Sequence, residues 1–167
     1  STNGGSFAVT ARKGKGPLPT DQRMIDWLIS EEDRLGLCSP APFRAFEDRV
    51  FHHRESLKKL IFSLRADGKR VLGYGASTKG NVILQFCGLG PESLEAIVDV
   101  NPLKHGCFTP GTHIPIISEE EGKRRKPDYY LVLPWHFRDF ILRKEAAYLA
   151  QGGRMIFPMP EIEIVTA

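Results

Sequence analysis

The chain has 167 residues, of which 41% are hydrophobic and 26% charged, with a formal net charge of +3. That is enough chain for an ordinary globular domain with a real core. Acidic and basic residues interleave, no apolar run reaches the length of a membrane span, and no Cys-x-x-Cys pair occurs. Nucleic-acid binding, membrane insertion, zinc sites and disulfide frameworks are therefore set aside. The odd number of cysteines, Cys38, Cys87 and Cys107, fits a reducing cytosol, so a soluble cytoplasmic protein is expected.

In chain order, Ser1 to Ser6 is polar and glycine-bearing, and Phe7-Ala8-Val9-Thr10-Ala11 reads as a short strand. Arg12 to Pro19 reads as a Lys/Gly/Pro linker. With no strand partner nearby, residues 1–19 are read as the tail of a preceding domain. Two helices follow over residues 20–66, a segment expected to pack on the core. Thr20 or Asp21 can cap the first, which carries Met24, Ile25, Trp27, Leu28 and Leu35 and ends at Gly36. The second carries Phe43, Phe46, Val50, Leu57, Leu60, Ile61 and Leu64 and closes at Asp67-Gly68. His52 and His53, beside charged residues in its middle, read as surface groups.

From Lys69 onward the pattern changes to strands separated by helices. Strands are expected at Arg70–Tyr74, Leu94–Val98, Tyr129–Leu133 and Arg154–Phe157, with a last edge strand over Glu161–Val165. Helices are expected around Val82–Phe86 and over Arg138–Ala150, and the run from Glu119 to Lys126 reads as a solvated helix whose acidic and basic ends pair. This alternation predicts a Rossmann-like three-layer α/β domain with a mostly parallel sheet over residues 67–167.

Between the first of these strands and its helix lies Gly73-Tyr74-Gly75-Ala76-Ser77-Thr78-Lys79-Gly80-Asn81. Small residues there let backbone approach an anion, and the start of the helix offers N–H groups to it. Ser77 and Thr78 add hydroxyls and Lys79 a charge. The third glycine of a dinucleotide fingerprint is replaced by Thr78. Asn81-Val82 stand where a Walker loop needs Lys-Ser/Thr, so a phosphate cradle without phosphoryl transfer is expected. The alternative is a plain tight connection.

Asp99, at the end of the second strand, suits a ribose hydroxyl or, with Asn101 ahead of Pro102, a turn. In the loop from Lys104 to His113, a metal site is disfavoured because His105, Cys107 and His113 match no standard spacing. Hydrogen bonding by Thr109, Thr112 or His113 to a polar ligand, or a self-packed loop, remain. Pro134-Trp135-His136-Phe137-Arg138 follows the third strand on the same rim, where Trp135 can meet a base or fill the core.

Three of these segments together, GYGASTKGN (Gly73 to Asn81), VDVNPLKHGCFTPGTHIPI (Val98 to Ile116) and LVLPWHFRD (Leu131 to Asp139), resemble the C-terminal domain of deoxysugar C-methyltransferases. The likeness runs from about Pro42 to the end, and Asn3-Gly4-Gly5-Ser6-Phe7 is similar to the last strand of that family's central domain. The resemblance implies an enzyme that uses S-adenosylmethionine to methylate a sugar carbon of a nucleotide-linked keto-deoxysugar. A zinc-bearing N-terminal module and a central domain holding S-adenosylmethionine and a histidine base would precede this region.

It further implies that this region anchors the nucleotide-diphosphate sugar, binds no cofactor and is inactive alone. Tyr74, Ala76, Ser77, Thr78, Lys79 and Asn81 would surround the diphosphate, with Asp99, Thr109, Thr112, His113 and Trp135 next. His136 stands where that family often has Asn. Two other readings are a stand-alone NAD(P)-binding oxidoreductase domain, against which the missing third glycine counts, and a non-catalytic oligomerisation scaffold built on residues 20–66.

Overall fold

The computed structural model describes residues 7–11, 13, 14, 16 and 19–167. The Asn3 to Ser6 part of the segment likened to a methyltransferase strand lies outside the described residues. Residues 7–11, expected as a strand, are exposed and join no sheet among the described residues. An unpaired strand leaves its backbone groups to water, so local β-propensity alone does not form one.

Two units make up the chain, residues 1–51 and 52–167. In the first, α1 (Gln22–Arg34) begins where Asp21 accepts the Met24 N–H at 3.2 Å, the expected N-cap. Its apolar stripe of Met24, Ile25, Trp27 and Leu28 stays exposed. α2 (Ala41–Ala66) starts two residues earlier than Phe43, because Pro42 fits the first helical turn, where its missing N–H costs nothing. It closes at Gly68, whose φ of +71° is the left-handed stop that glycine adopts without strain.

In the second unit, the end of α2 buries Leu57 and Ile61 completely. Among the described residues one sheet carries β1 (Val71–Tyr74), β2 (Ile97–Val98), β3 (Ile116–Ile117), β4 (Tyr129–Val132), β5 (Arg154–Phe157) and β6 (Glu163–Val165). Its order is β3-β2-β1-β4-β5-β6, parallel except for β6, which runs antiparallel to β5. That is the strand order of Rossmann domains. Alternation along each strand sends Val71, Tyr129, Leu131 and Leu133 to one face and Leu72, Tyr74, Tyr130 and Val132 to the other. The first face packs under α2 and α3 (Thr78–Cys87). The second packs under α5 (Arg138–Lys144) and α6 (Ala146–Ala150). The sheet is therefore covered on both faces, and the expected three-layer α/β architecture is observed.

Four details differ from expectation. The strand expected over Leu94–Val98 shrinks to Ile97–Val98, since Leu94 closes a turn onto the Gly90 carbonyl. β3 was not anticipated: two residues are held by Ile97 N–H to Pro115 O and Asp99 N–H to Ile117 O bonds, and two residues carry no periodicity. The helix expected over Arg138–Ala150 is interrupted at Glu145. The solvated helix forms as α4 (Glu119–Arg125), where Glu121 pairs with Arg124 at 2.6 Å and Arg125 at 3.1 Å. His52 is exposed as expected, whereas His53 is half-buried. No described helix is long and apolar enough to cross a membrane.

Candidate functional site

β1 has β2 on one side and β4 on the other, so the chain reverses its winding there, and a crevice opens at the carboxyl ends of these strands. Two cavities occupy it. The larger, about 570 Å³, is walled by Tyr74, Val98, Val100, Pro134, Phe137, Phe140 and Ile141, with Asp99, Lys104, Glu119 and Lys144 as its charged members. The smaller, about 330 Å³, is walled by Thr78, Asn81, Leu84, Phe108, Thr109 and neighbours. Ala76, Ser77 and Lys104 belong to both walls.

The glycine turn separates the two. A Cβ on Gly80 would stand 2.4 Å from Leu133 Cβ, and one on Gly75, whose φ is +81°, would meet Pro134 Cδ at 2.7 Å. These glycines let α3 and the turn close onto β4, so packing within the protein already requires them. Ser77 caps α3: its Oγ accepts the Gly80 N–H at 3.0 Å, and its carbonyl accepts from Asn81. The Thr78 N–H, at the first helical position, has no intrahelical acceptor. Asn81 holds its Oδ1 buried without a hydrogen-bond partner among the described residues.

Asp99 is buried, and its carboxylate receives the Ala76 N–H at 2.8 Å, the Asn101 N–H at 2.8 Å and Lys104 Nζ at 3.1 Å. Lys104 also donates to the Ala76 carbonyl at 2.9 Å. Asp99 thus ties the end of β2 to the glycine turn and fixes Lys104 between the cavities. Asn101 caps the following 3₁₀ turn, Pro102–Lys104, and His105 Nε2 lies 2.8 Å from the Asp99 carbonyl.

Tyr74 is buried and its hydroxyl donates to Glu145 Oε1 at 2.9 Å, a carboxylate itself buried between α5 and α6. Burial, and then this hydrogen bond, push the phenol well above its ordinary pKa. Lys144 lies 5.8 Å over the Tyr74 ring and pairs with Glu119.

The remaining expected residues fall as follows. Thr109 is buried, with Oγ1 2.6 Å from that of Thr112 and accepting the Ile114 N–H at 2.9 Å, so the two hydroxyls close their own loop while Thr109 still walls the smaller cavity. His113 is exposed at φ +54°. Trp135 is half-buried against the core that contains Leu72 and Tyr130. His136 packs between the Trp135 and Phe137 rings, and burial, then the nearby Lys79 charge, lowers its pKa. Lys79, Thr112, His113, Trp135 and His136 line neither cavity.

Four residues of the site were not among the expected site residues. Lys104 only opened a loop, Phe137 belonged to the rim segment in which Trp135 and His136 were the candidates, and Phe140 lay inside the expected helix, yet the two phenylalanines remain 56% and 59% exposed over the larger cavity. Glu145 carried no signal beyond an acidic residue inside an expected helix. Among the described residues no three His, Cys, Asp or Glu side chains gather in a metal-binding group. Cys87 is buried with its thiol pushed up to about 11 by that burial, and Cys38 and Cys107 are exposed free thiols.

The architecture is thus a Rossmann-like α/β domain with a ligand-sized crevice at its topological switch point and an altered glycine turn. Residues 1–160 match the family described as the C-methyltransferase C-terminal domain, and the chain belongs to that family. It is 37% identical over 168 residues to the C-methyltransferase NovU of Streptomyces niveus, an alignment that covers 99% of this chain and 39% of that protein. The chain therefore spans well under half the length of the relative it matches.

Proposed function

We propose that this chain is the substrate-holding part of an S-adenosylmethionine-dependent C-methyltransferase, and that it anchors a nucleotide-diphosphate sugar in the crevice at the carboxyl ends of β1, β2 and β4. The observation that carries this reading is the pair of cavities at the switch point, one walled by exposed aromatic rings. Phe137 and Phe140 offer faces on which a base can lie. The start of α3, with Thr78 and the Ser77–Asn81 turn, meets the diphosphate, and Thr109 lies beyond. Asp99 contributes by holding Ala76 and the adjacent loop in place. The domain's effect on rate is orientation of the sugar toward a methyl donor and base carried by other domains of the same cytoplasmic enzyme.

S-adenosylmethionine does not fit the residues present here. Each carboxylate of the cavity is already engaged, Asp99 by three donors and Glu119 by Lys144, which leaves none to face a sulfonium cation. No step of methyl transfer is assigned to this chain.

Melting curves with dTDP, UDP, GDP and NAD test the proposal. A rise with one nucleoside diphosphate, removed by Phe137→Ala/Phe140→Ala without loss of the unliganded melting temperature, is expected. A rise with NAD alone would instead favour the oxidoreductase reading, and no rise with any nucleoside diphosphate would count against anchoring by this chain.

A further inference from the structure

We infer that Lys104 is the cation that takes the diphosphate of the bound nucleotide, an assignment that rests on the nucleotide-sugar reading above. The two cavities meet along a ridge made of Ala76, Ser77 and Lys104. A ligand laid across both cavities, with its base in one and its sugar in the other, has its diphosphate at the residues the two walls share. Lys104 is the charged side chain among them.

The ammonium is held in place from below. It donates to the Ala76 carbonyl at 2.9 Å and to Asp99 Oδ2 at 3.1 Å. A lysine has three N–H donors, so one remains for a ligand. The side chain is 39% exposed, enough to meet solvent along the ridge. Because Asp99 is itself buried and tied to the Ala76 and Asn101 amides, the charge is positioned before any ligand arrives. The Ser77-capped start of α3 lies on the same ridge and adds its partial positive charge. Lys79, the lysine inside the glycine motif, lines neither cavity.

The test is a calorimetric titration of the wild-type chain, Lys104→Met, Lys104→Arg and the exposed α4 variant Lys123→Met. UDP and dTDP are compared with uridine and thymidine. The expected result is that Lys104→Met weakens diphosphate binding by about tenfold to a hundredfold, the range for a hydrogen bond to a charged group. Nucleoside binding changes little, Lys104→Arg retains most of the affinity and Lys123→Met all of it.

Lys104→Met leaves Asp99 buried without its cation, so Lys104→Met/Asp99→Asn is measured beside it. On the unmutated chain, saturating diphosphate is expected to protect Lys104, and not Lys123, from acylation read by peptide mass spectrometry. The inference is overturned if Lys104→Met binds diphosphate as the wild type does, if nucleoside and diphosphate weaken by the same factor, if Lys79→Met causes the selective loss instead, or if Lys104 is not protected. If the wild type binds no nucleoside diphosphate at all, the anchoring reading and this inference fall together.

Discussion

Replacing Gly80 with alanine sets two terms of known size against each other. Gly80 sits in the first turn of α3 facing β4, and alanine in a helix is favoured over glycine by about 1 kcal/mol. The new Cβ, however, would lie 2.4 Å from Leu133 Cβ and 2.9 Å from Ser77 Oγ. Carbon atoms rest at about 3.5–4 Å, and a Cβ cannot rotate out of the way. The start of α3 must therefore withdraw from β4 by roughly 1 Å, an overpacking that costs about 1–3 kcal/mol. Withdrawal also loosens the Ser77 cap, which contributes about another 1 kcal/mol.

The net expectation is a loss of about 1–3 kcal/mol, or a fall in melting temperature of roughly 2–4 °C per kcal/mol for a chain of this size. Reversible thermal unfolding followed by circular dichroism reads it. Val82→Ala, on the exposed face of the same helix, is expected to stay within about 0.5 kcal/mol of wild type. A Gly80→Ala protein that melts at or above the wild-type temperature would refute the close approach of α3 to β4.

Other consequences follow from the buried polar groups and the caps. Tyr74→Phe removes the hydroxyl bonded to the buried Glu145 carboxylate, so a destabilisation of about 1–3 kcal/mol is expected in denaturant unfolding. Adding Glu145→Leu should recover part of it in a double-mutant cycle, and strict additivity would argue against the pair. Burial raises the phenols of Tyr74 and Tyr130, and pushes Tyr148 up to about 12 from an ordinary 10.0. Raised phenols favour the folded state while the unfolded chain stays protonated. That contribution is complete below pH 10.0 and is lost as pH climbs toward 12. A melting temperature flat across that interval would contradict the burial of these rings. Lys126 ends α4 at φ +47°, ψ 63°, a region that strains a side-chain-bearing residue. Lys126→Gly should raise stability by about 0.5–1 kcal/mol, and a lowered melting temperature would oppose it.

The parts of this fold that the sequence displayed are those with local causes. β4 and β5 are runs of buried apolar residues with turn residues before them, and they appear at or within one residue of their expected bounds. The Asp21 cap and the Gly36 and Gly68 stops were equally visible, because capping is chemistry between residues two to four apart. What was hidden depends on distant neighbours. β3 exists because Ile116 and Ile117 meet β2 across a long loop, whereas residues 7–11 meet no such neighbour among the described residues. The glycine turn was found, but the reason for Gly80 was not, since Leu133 lies more than fifty positions away in the chain. Lys104 gains its place only when the 3₁₀ turn after β2 brings it back onto Asp99 and Ala76. Trp135, the aromatic expected on the rim, packs against the core, whereas Phe137 and Phe140, two and five residues further on, wall the cavity.

The central claim is that a nucleoside diphosphate binds across the carboxyl ends of β1, β2 and β4. Amide NMR shifts recorded while dTDP or UDP is added to this chain test it most directly. Saturable changes concentrated at Ala76, Ser77, Lys104, Phe137 and Phe140 are the predicted result. No saturable change, or changes confined to the polar cleft of Arg65, Arg70 and Asp128 at the amino ends of the strands, would contradict it.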